Sequence, residues 1–324
     1  MTSMCRRMAI ALAFATAPLA QAQQAQNWPA KPVTVVVNFA AGGAADQLAR
    51  IVGAPLQDAL GQPVVIDNKG GAGGNLGGEF VAKAKPDGYT LLMSSGGMVS
   101  INPHIYPKLP FDPGKDLAPV AAVARVPFYL VVRADSPVKD FKGLVADLKA
   151  HPGKRSFASP GNGSSPHLAG EMLTSQTGTS AIHVPYRGAA PALTDLIGGQ
   201  VDFLFDPGIS LQYVKSGKLR MLAVASLRRA PLVPDVPTLD ELGLKGFDAD
   251  AVFGFYAPAG TPRPVGERLN AEINRILAQP AVKERIVAIG NVPLPMTPAE
   301  FGHKGGEDFR RLGALIRERG IKAD

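Results

Sequence analysis

Cysteine is almost missing from this chain: its 324 residues hold one, Cys5, which lies before the first apolar run. A lipoprotein cysteine would follow that run, so no lipid anchor is expected. Beyond Cys5 the sequence offers no disulfide, no thiol nucleophile and no thiolate metal site. Histidine is scarce too. His104, His151, His167, His183 and His303 stand in no H-x-x-x-H or comparable spacing, so no metal centre is expected.

Nucleotide and nucleophile signatures are also lacking. No GxxxxGK[ST] occurs, and GGAGGNLGG fails as a dinucleotide fingerprint because Leu76 stands where the third glycine belongs. Neither GNGSSPH nor SSGG is the G-x-S-x-G turn of a serine hydrolase. His167 lies on the same helix start as Ser164 and Ser165, which turns it to a different side from their hydroxyls. Without paired carboxylates at a diagnostic spacing, the chain reads as a non-enzyme with no cofactor. Long single-sign charge runs are missing, and nucleic acid is not an expected partner.

The first 22 residues read as a secretion leader. Arg6-Arg7 precede the apolar run MAIALAFATAPLA, too short to span a bilayer, and Ala20-Gln21-Ala22 gives a small-x-small cleavage site. Export to the periplasm is therefore expected. Losing Arg6 and Arg7 from 34 basic residues leaves 32 against 27 acidic ones, a net charge of +5 that suits an anionic ligand.

Strand-like and helical stretches then alternate. VTVVVNF (33–39), PVVIDN (63–68) and YTLLMS (89–94) are strands separated by helical segments at 44–60 and 77–85. RSFAS (155–159), AIHVPY (181–186), VDFLFD (201–206) and LRMLAVA (219–225) form a second group, and the last third, 264–279 and 298–320, is helical. This pattern predicts an α/β protein of two Rossmann-like lobes with parallel sheets covered by helices. The apolar stretches 125–136 and 250–262 are expected to cross between lobes, as a two-segment hinge. Domain 1 is then 27–127 plus 252–324, and domain 2 the inserted lobe 128–251, with a ligand cleft between them.

Small-residue loops recur where strands give way to helices: NFAAGGAAD (38–46), NKGGAGGNLGGEF (68–80), SSGGMVSINP (94–103), SPGNGSSPHL (159–168) and PYRGAAPAL (185–193). In an open α/β sheet such loops lie at the carboxyl ends of the strands, where ligands bind. Helix first turns present free N–H groups that favour an anion. Ser164 or Ser165 is placed to cap a helix whose first turn holds Pro166. Arg187 is placed either to face a carboxylate or to sit solvated. Asp46 either caps its helix or accepts from a ligand, and Asp206 either receives an ammonium group or bonds a loop.

Taken together, WPAKPVTVVVNFAAGGAADQLAR, VVIDNKGGAGGNLGGEFVAKAKPDGYTLL, SPGNGSSPHLAGEML, HVPYRGAAPALTDLIGGQVDFLFD, SGKLRMLAVAS, VPDVPTLDELG and FYAPAGTP resemble, in order, the solute-binding receptors of tripartite tricarboxylate transporters, the Bug receptors. The resemblance implies a type II periplasmic-binding-protein fold that closes on a small organic carboxylate. The candidates are di- or tricarboxylates, acidic amino acids and aromatic acids. It implies capture of one carboxylate by backbone amides and waters around Phe39, Ala40, Ala41, Gly42, Gly43 and Asp46 on one side. Ser159, Asn162, Gly163, Ser164 and His167 would form the other side, with Asn75, Ser95, Tyr186, Gly188 and Asp206 completing the pocket. Many members start the first loop with proline, where this chain has Asn38. The implied partners of a monomeric receptor are the membrane subunits of such a transporter or, alternatively, a membrane sensor kinase.

Overall fold

The computed structural model describes residues 28–322. The leader and the cleavage site fall outside them. The β-branched run β1 (Val33–Val37) is a largely buried strand of a six-stranded sheet, paired in parallel with β2 (Val64–Asn68) and β3 (Thr90–Ser95). Helix α1 (Ala44–Leu60) connects β1 to β2 and packs Leu48, Val52 and Leu56 inward. It ends at Gly61, whose φ of 65° is the left-handed conformation that glycine adopts without strain. Helix α2 (Asn75–Ala82) leads from β2 to β3.

The sheet is mixed rather than parallel. β4 (Leu117–Val126), β10 (Ala251–Pro258) and β11 (Val292–Pro293) complete the order β11-β4-β10-β3-β1-β2, and β10 runs antiparallel to both β3 and β4. The second sheet, β7-β6-β8-β5-β9, is also mixed. It contains β5 (Tyr129–Arg133), β6 (Ser156–Ser159), β7 (Ile182–Pro185), β8 (Phe203–Asp206) and β9 (Leu219–Val224), with β5 antiparallel to β8 and β9. The departure has a simple cause. The strands that carry the chain across enter each sheet from its neighbour and run against the βαβ units already there.

The two sheets form two lobes that share two crossings. One is Pro127-Phe128, between β4 and β5. The other runs from Ala225 to Asp250, between β9 and β10. They are stitched together: Ala225 N–H donates to the Phe128 carbonyl at 2.8 Å, and Ala249 N–H to the Ala225 carbonyl at 3.0 Å. Beside them Arg125 and Ser226 both donate to the Asp250 carboxylate.

The remaining helices clothe the sheets. The inserted lobe carries α3 (Phe141–Ala150), α4 (Ser165–Thr177) and α5 (Ala189–Ile197). The first lobe is finished by α6 (Arg263–Ala278), α7 (Pro280–Ala288) and α8 (Pro298–Arg319), the last opened by a Thr297–Glu300 capping box. Among the described residues no helix is long and apolar enough to cross a membrane.

Candidate functional site

Strand ends and helix starts meet between the lobes. Three helices begin there: α1 behind Gly43, α4 behind Ser164 and α5 behind Gly188. Two of these N-caps are glycines, so their first turns carry no capping side chain and the neighbouring backbone is open to close approach. A Cβ on Gly43 would lie 4.0 Å from that of Ala189, so the starts of α1 and α5, from opposite lobes, lie next to each other. The first amides of any helix have no intrahelical partner, and each N-terminus carries roughly half a positive charge.

These starts surround a small cavity of about 30 Å³. Gly43, Ala44, Ala45, Ser95, Ser164, Ser165 and Ala189 supply its polar edge and small-residue wall, and Phe39, Phe128, Phe253, Pro160, Pro166 and Pro207 the rest. No charged side chain lines it. A carboxylate placed here meets dipoles and hydroxyls, not a counter-ion.

Of the expected ligand contacts, the structure brings Phe39, Gly43, Ser95 and Ser164 to the cavity wall. Ala40 and Gly188 meet at the lobe junction, where the Ala40 amide donates to the Arg187 carbonyl at 3.1 Å. Ala41 and Gly42 form the exposed outer turn of the first loop. In the turn before α4, the Asn162 carbonyl accepts from Tyr106 Oη at 2.7 Å across the lobes, and the Gly163 amide donates to His167 Nδ1 at 3.2 Å.

Other side chains on the expected roll serve the loops. Asp46 Oδ2 accepts from the Gly42 amide at 3.0 Å, and the carboxylate pairs with Arg50. Burial pushes this carboxyl up, but the bonds from Arg50 and Gly42 outweigh it and hold it below its ordinary value. Asn75 Oδ1 accepts from Asn102 at 2.6 Å. Ser164 Oγ caps α4 by accepting the His167 amide. Tyr186 Oη donates to Asp195 at 2.6 Å, and burial together with that carboxylate pushes its phenol up to about 12.

Beneath the α4 loop lies an aromatic stack. His167 and His183 are 4.0 Å apart and lie against Phe157, and Ser159 Oγ is 2.6 Å from His183 Nε2. Burial lowers the His183 ring to about 4, which keeps it neutral at physiological pH. Asp206, fully buried at the end of β8, accepts the Gly208 and Ser210 amides at 2.7 and 2.8 Å on one oxygen. Burial pushes it up to about 6, with those amides opposing.

Sequence reading missed Phe128 and Phe253. Both lie in the stretches expected to cross between lobes, and the signal was there: a cleft must be floored by its hinge, so aromatics in the crossings face it.

Comparison with known proteins gives one answer. Residues 48–321 match the model of the tripartite tricarboxylate transporter family receptor, TctC. The chain is similar to the solved periplasmic binding protein BugD, at 38% identity over 91% of this chain and 99% of that one, with a TM-score of 0.87. It is similar to Rpa4515 of Rhodopseudomonas palustris, solved with adipate, at 33% identity, 91% and 99% coverage and TM-score 0.89. MatC from the same organism, solved with malate, is 36% identical over 89% of this chain and all of its own, with a TM-score of 0.86.

Proposed function

The chain belongs to the tripartite tricarboxylate transporter receptor family, and from that membership we propose that it captures one small organic carboxylate between its lobes and hands it to the membrane subunits of such a transporter. It is a two-lobed periplasmic solute-binding protein by family, and its relatives Rpa4515 and MatC are solved with adipate and malate. One observation carries the reading: three helix N-termini, drawn from both lobes, surround a single cavity that no charged side chain lines.

The physics favours an anion. The first turns of α1 and α5, which no side chain caps, offer aligned donors, and closing the lobes excludes the water that would otherwise screen them. Contacts from α1 on one side and α4 and α5 on the other are complete only in the shut form, so ligand binding draws the equilibrium toward closure. The amides hold the acid without transforming it, so it leaves as it arrived.

A thermal-shift panel of dicarboxylates, tricarboxylates, acidic amino acids and aromatic acids tests this. At about a hundred times Kd the bound acid stabilises the fold by roughly 2.7 kcal/mol. The acid should be recovered chemically unchanged after long incubation. A shift with neutral sugars or cations and with none of the acids would sink the reading. Membrane pull-down with loaded receptor tests the delivery step, with transporter subunits the expected catch.

A further inference from the structure

The receptor reading names an organic acid; the walls of the cavity say what the rest of that acid looks like. We propose that the preferred ligand carries a single carboxylate on a compact apolar body, aromatic or branched aliphatic, rather than two or three acid groups. This rests on the receptor reading and narrows it.

Much of the cavity wall is carbon. Phe39, Phe128, Phe253, Pro160, Pro166 and Pro207 provide it. All three rings are buried, at 7%, 1% and 5% exposure, and one of them, Phe128, belongs to the hinge. Phe253 stands on β10 in register with Ser95, and the Phe128 carbonyl is held by Ala225. Strand pairing holds Phe253, and the Ala225 amide holds the Phe128 backbone.

No cation on the cavity wall offers a second carboxylate a partner, and the charged groups of the surrounding elements are committed or turned away. Arg50 is held by Asp46, and Arg125 by Asp250. Arg187 is exposed and outside the cavity wall; it meets the first loop through its backbone carbonyl. His167 and His183 are stacked beneath the α4 loop against Phe157. A charge desolvated without a partner costs several kcal/mol, whereas apolar ligand surface gains about 25 cal/mol for each Å² buried. The helix starts satisfy one carboxylate, and the remainder of the cavity selects against another.

Calorimetric titration with matched pairs decides it: hexanoate against adipate, and benzoate against terephthalate. The single acid of each pair should bind at least about tenfold more tightly, the equivalent of 1.4 kcal/mol. Equal or tighter binding of the diacids overturns the proposal, as does capture of malate or citrate with none of the four. Silence across the whole acid panel defeats the receptor reading itself, and the proposal with it. Pro207→Lys, which places a cation on the apolar wall, should shift the ratio toward adipate. An unchanged ratio in a folded variant would also count against the proposal.

Discussion

The Ala40 amide donates to the Arg187 carbonyl across the lobe junction at 3.1 Å, and the next residue, Gly188, packs so tightly against Ala40 that a Cβ there would lie 2.7 Å from the Ala40 Cβ. This backbone-to-backbone contact joins the first loop of one lobe to the start of α5 in the other. It sits beside the starts of α1 and α5, where the ligand's carboxylate is expected.

Gly188→Val wedges that junction. The added carbons have nowhere to go while Ala40 stays, so closure costs about 1–3 kcal/mol, the usual penalty of overpacking. Parting the lobes would relieve the clash. Ligand affinity should fall by roughly tenfold or more at 1.4 kcal/mol per decade, with the melting temperature of the unliganded protein nearly unchanged. A variant that binds as tightly as the parent would show that this contact is not part of the closed, liganded state.

Ser164 does two jobs, and one substitution separates them. Its Oγ caps α4 by accepting the His167 amide, and the residue also lines the cavity. Ser164→Asp keeps a good cap, since aspartate and serine cap helices about equally well. It also sets a negative charge where the acid binds. Stability should stay within about 1 kcal/mol of the parent while acid binding disappears. Ser164→Ala should do the reverse in part, losing about 1 kcal/mol of cap and much less affinity. Urea unfolding and calorimetry on the same two variants check both halves.

How much of this was visible in the chain follows from what each residue contributes. β1, α1 and the α4 start were legible because Val33–Val37 is β-branched throughout and because Ser164 and Pro166 are standard helix-opening chemistry. The mixed sheets were not, because direction is set by where a crossing strand comes from, which Leu117–Val126 and Ala251–Pro258 do not encode locally. α3 and α7 were passed over, one lying between strand-like runs and the other following α6 without a loop. In the site, small-residue loops announced the amides correctly as a class. The partners of Asp46, Asn75 and Tyr186 are Arg50, Asn102 and Asp195, and only tertiary packing selects Asn102 for Asn75.

At the hinge, Asp250 is bonded by Arg125 from β4 and by Ser226 from the other crossing. Its side chain is 15% exposed, and burial raises the carboxyl against the opposing pull of Ser226 and Arg125. Arg125→Met strands that carboxylate. A loss of about 1–3 kcal/mol is expected, because a buried charge-bearing acceptor is left short of its donor. Asp250→Asn in the same background should restore part of it, giving a coupling of about 1 kcal/mol or more in a double-mutant cycle. A coupling near zero would place this pair among the solvated ion pairs that contribute little.

Two buried groups titrate in opposite senses, which makes the acid limb of stability separable. Asp206 is raised to about 6 from an ordinary 3.8, so its contribution to folding is fully present below that lower value and lost as pH rises through 6. His183 is lowered to about 4 from 6.5, so its contribution is present above 6.5 and lost as pH falls toward 4. Between those limits the two slopes oppose, and the parent protein should show a shallow dependence. Asp206→Asn removes one slope while its amide oxygen still accepts the Gly208 and Ser210 N–H groups. Stability of that variant should then fall more steeply from pH 6.5 to 4 than the parent's, by at most about 3 kcal/mol at 1.36 kcal/mol per pKa unit. His183→Gln should tilt the other way, gaining stability relative to the parent as the solution is acidified. Chemical denaturation at half-unit pH steps reads both slopes. Parallel curves for parent and Asp206→Asn would mean that the buried carboxyl is not titrating in this range, and that the amides of Gly208 and Ser210 hold it ionised throughout.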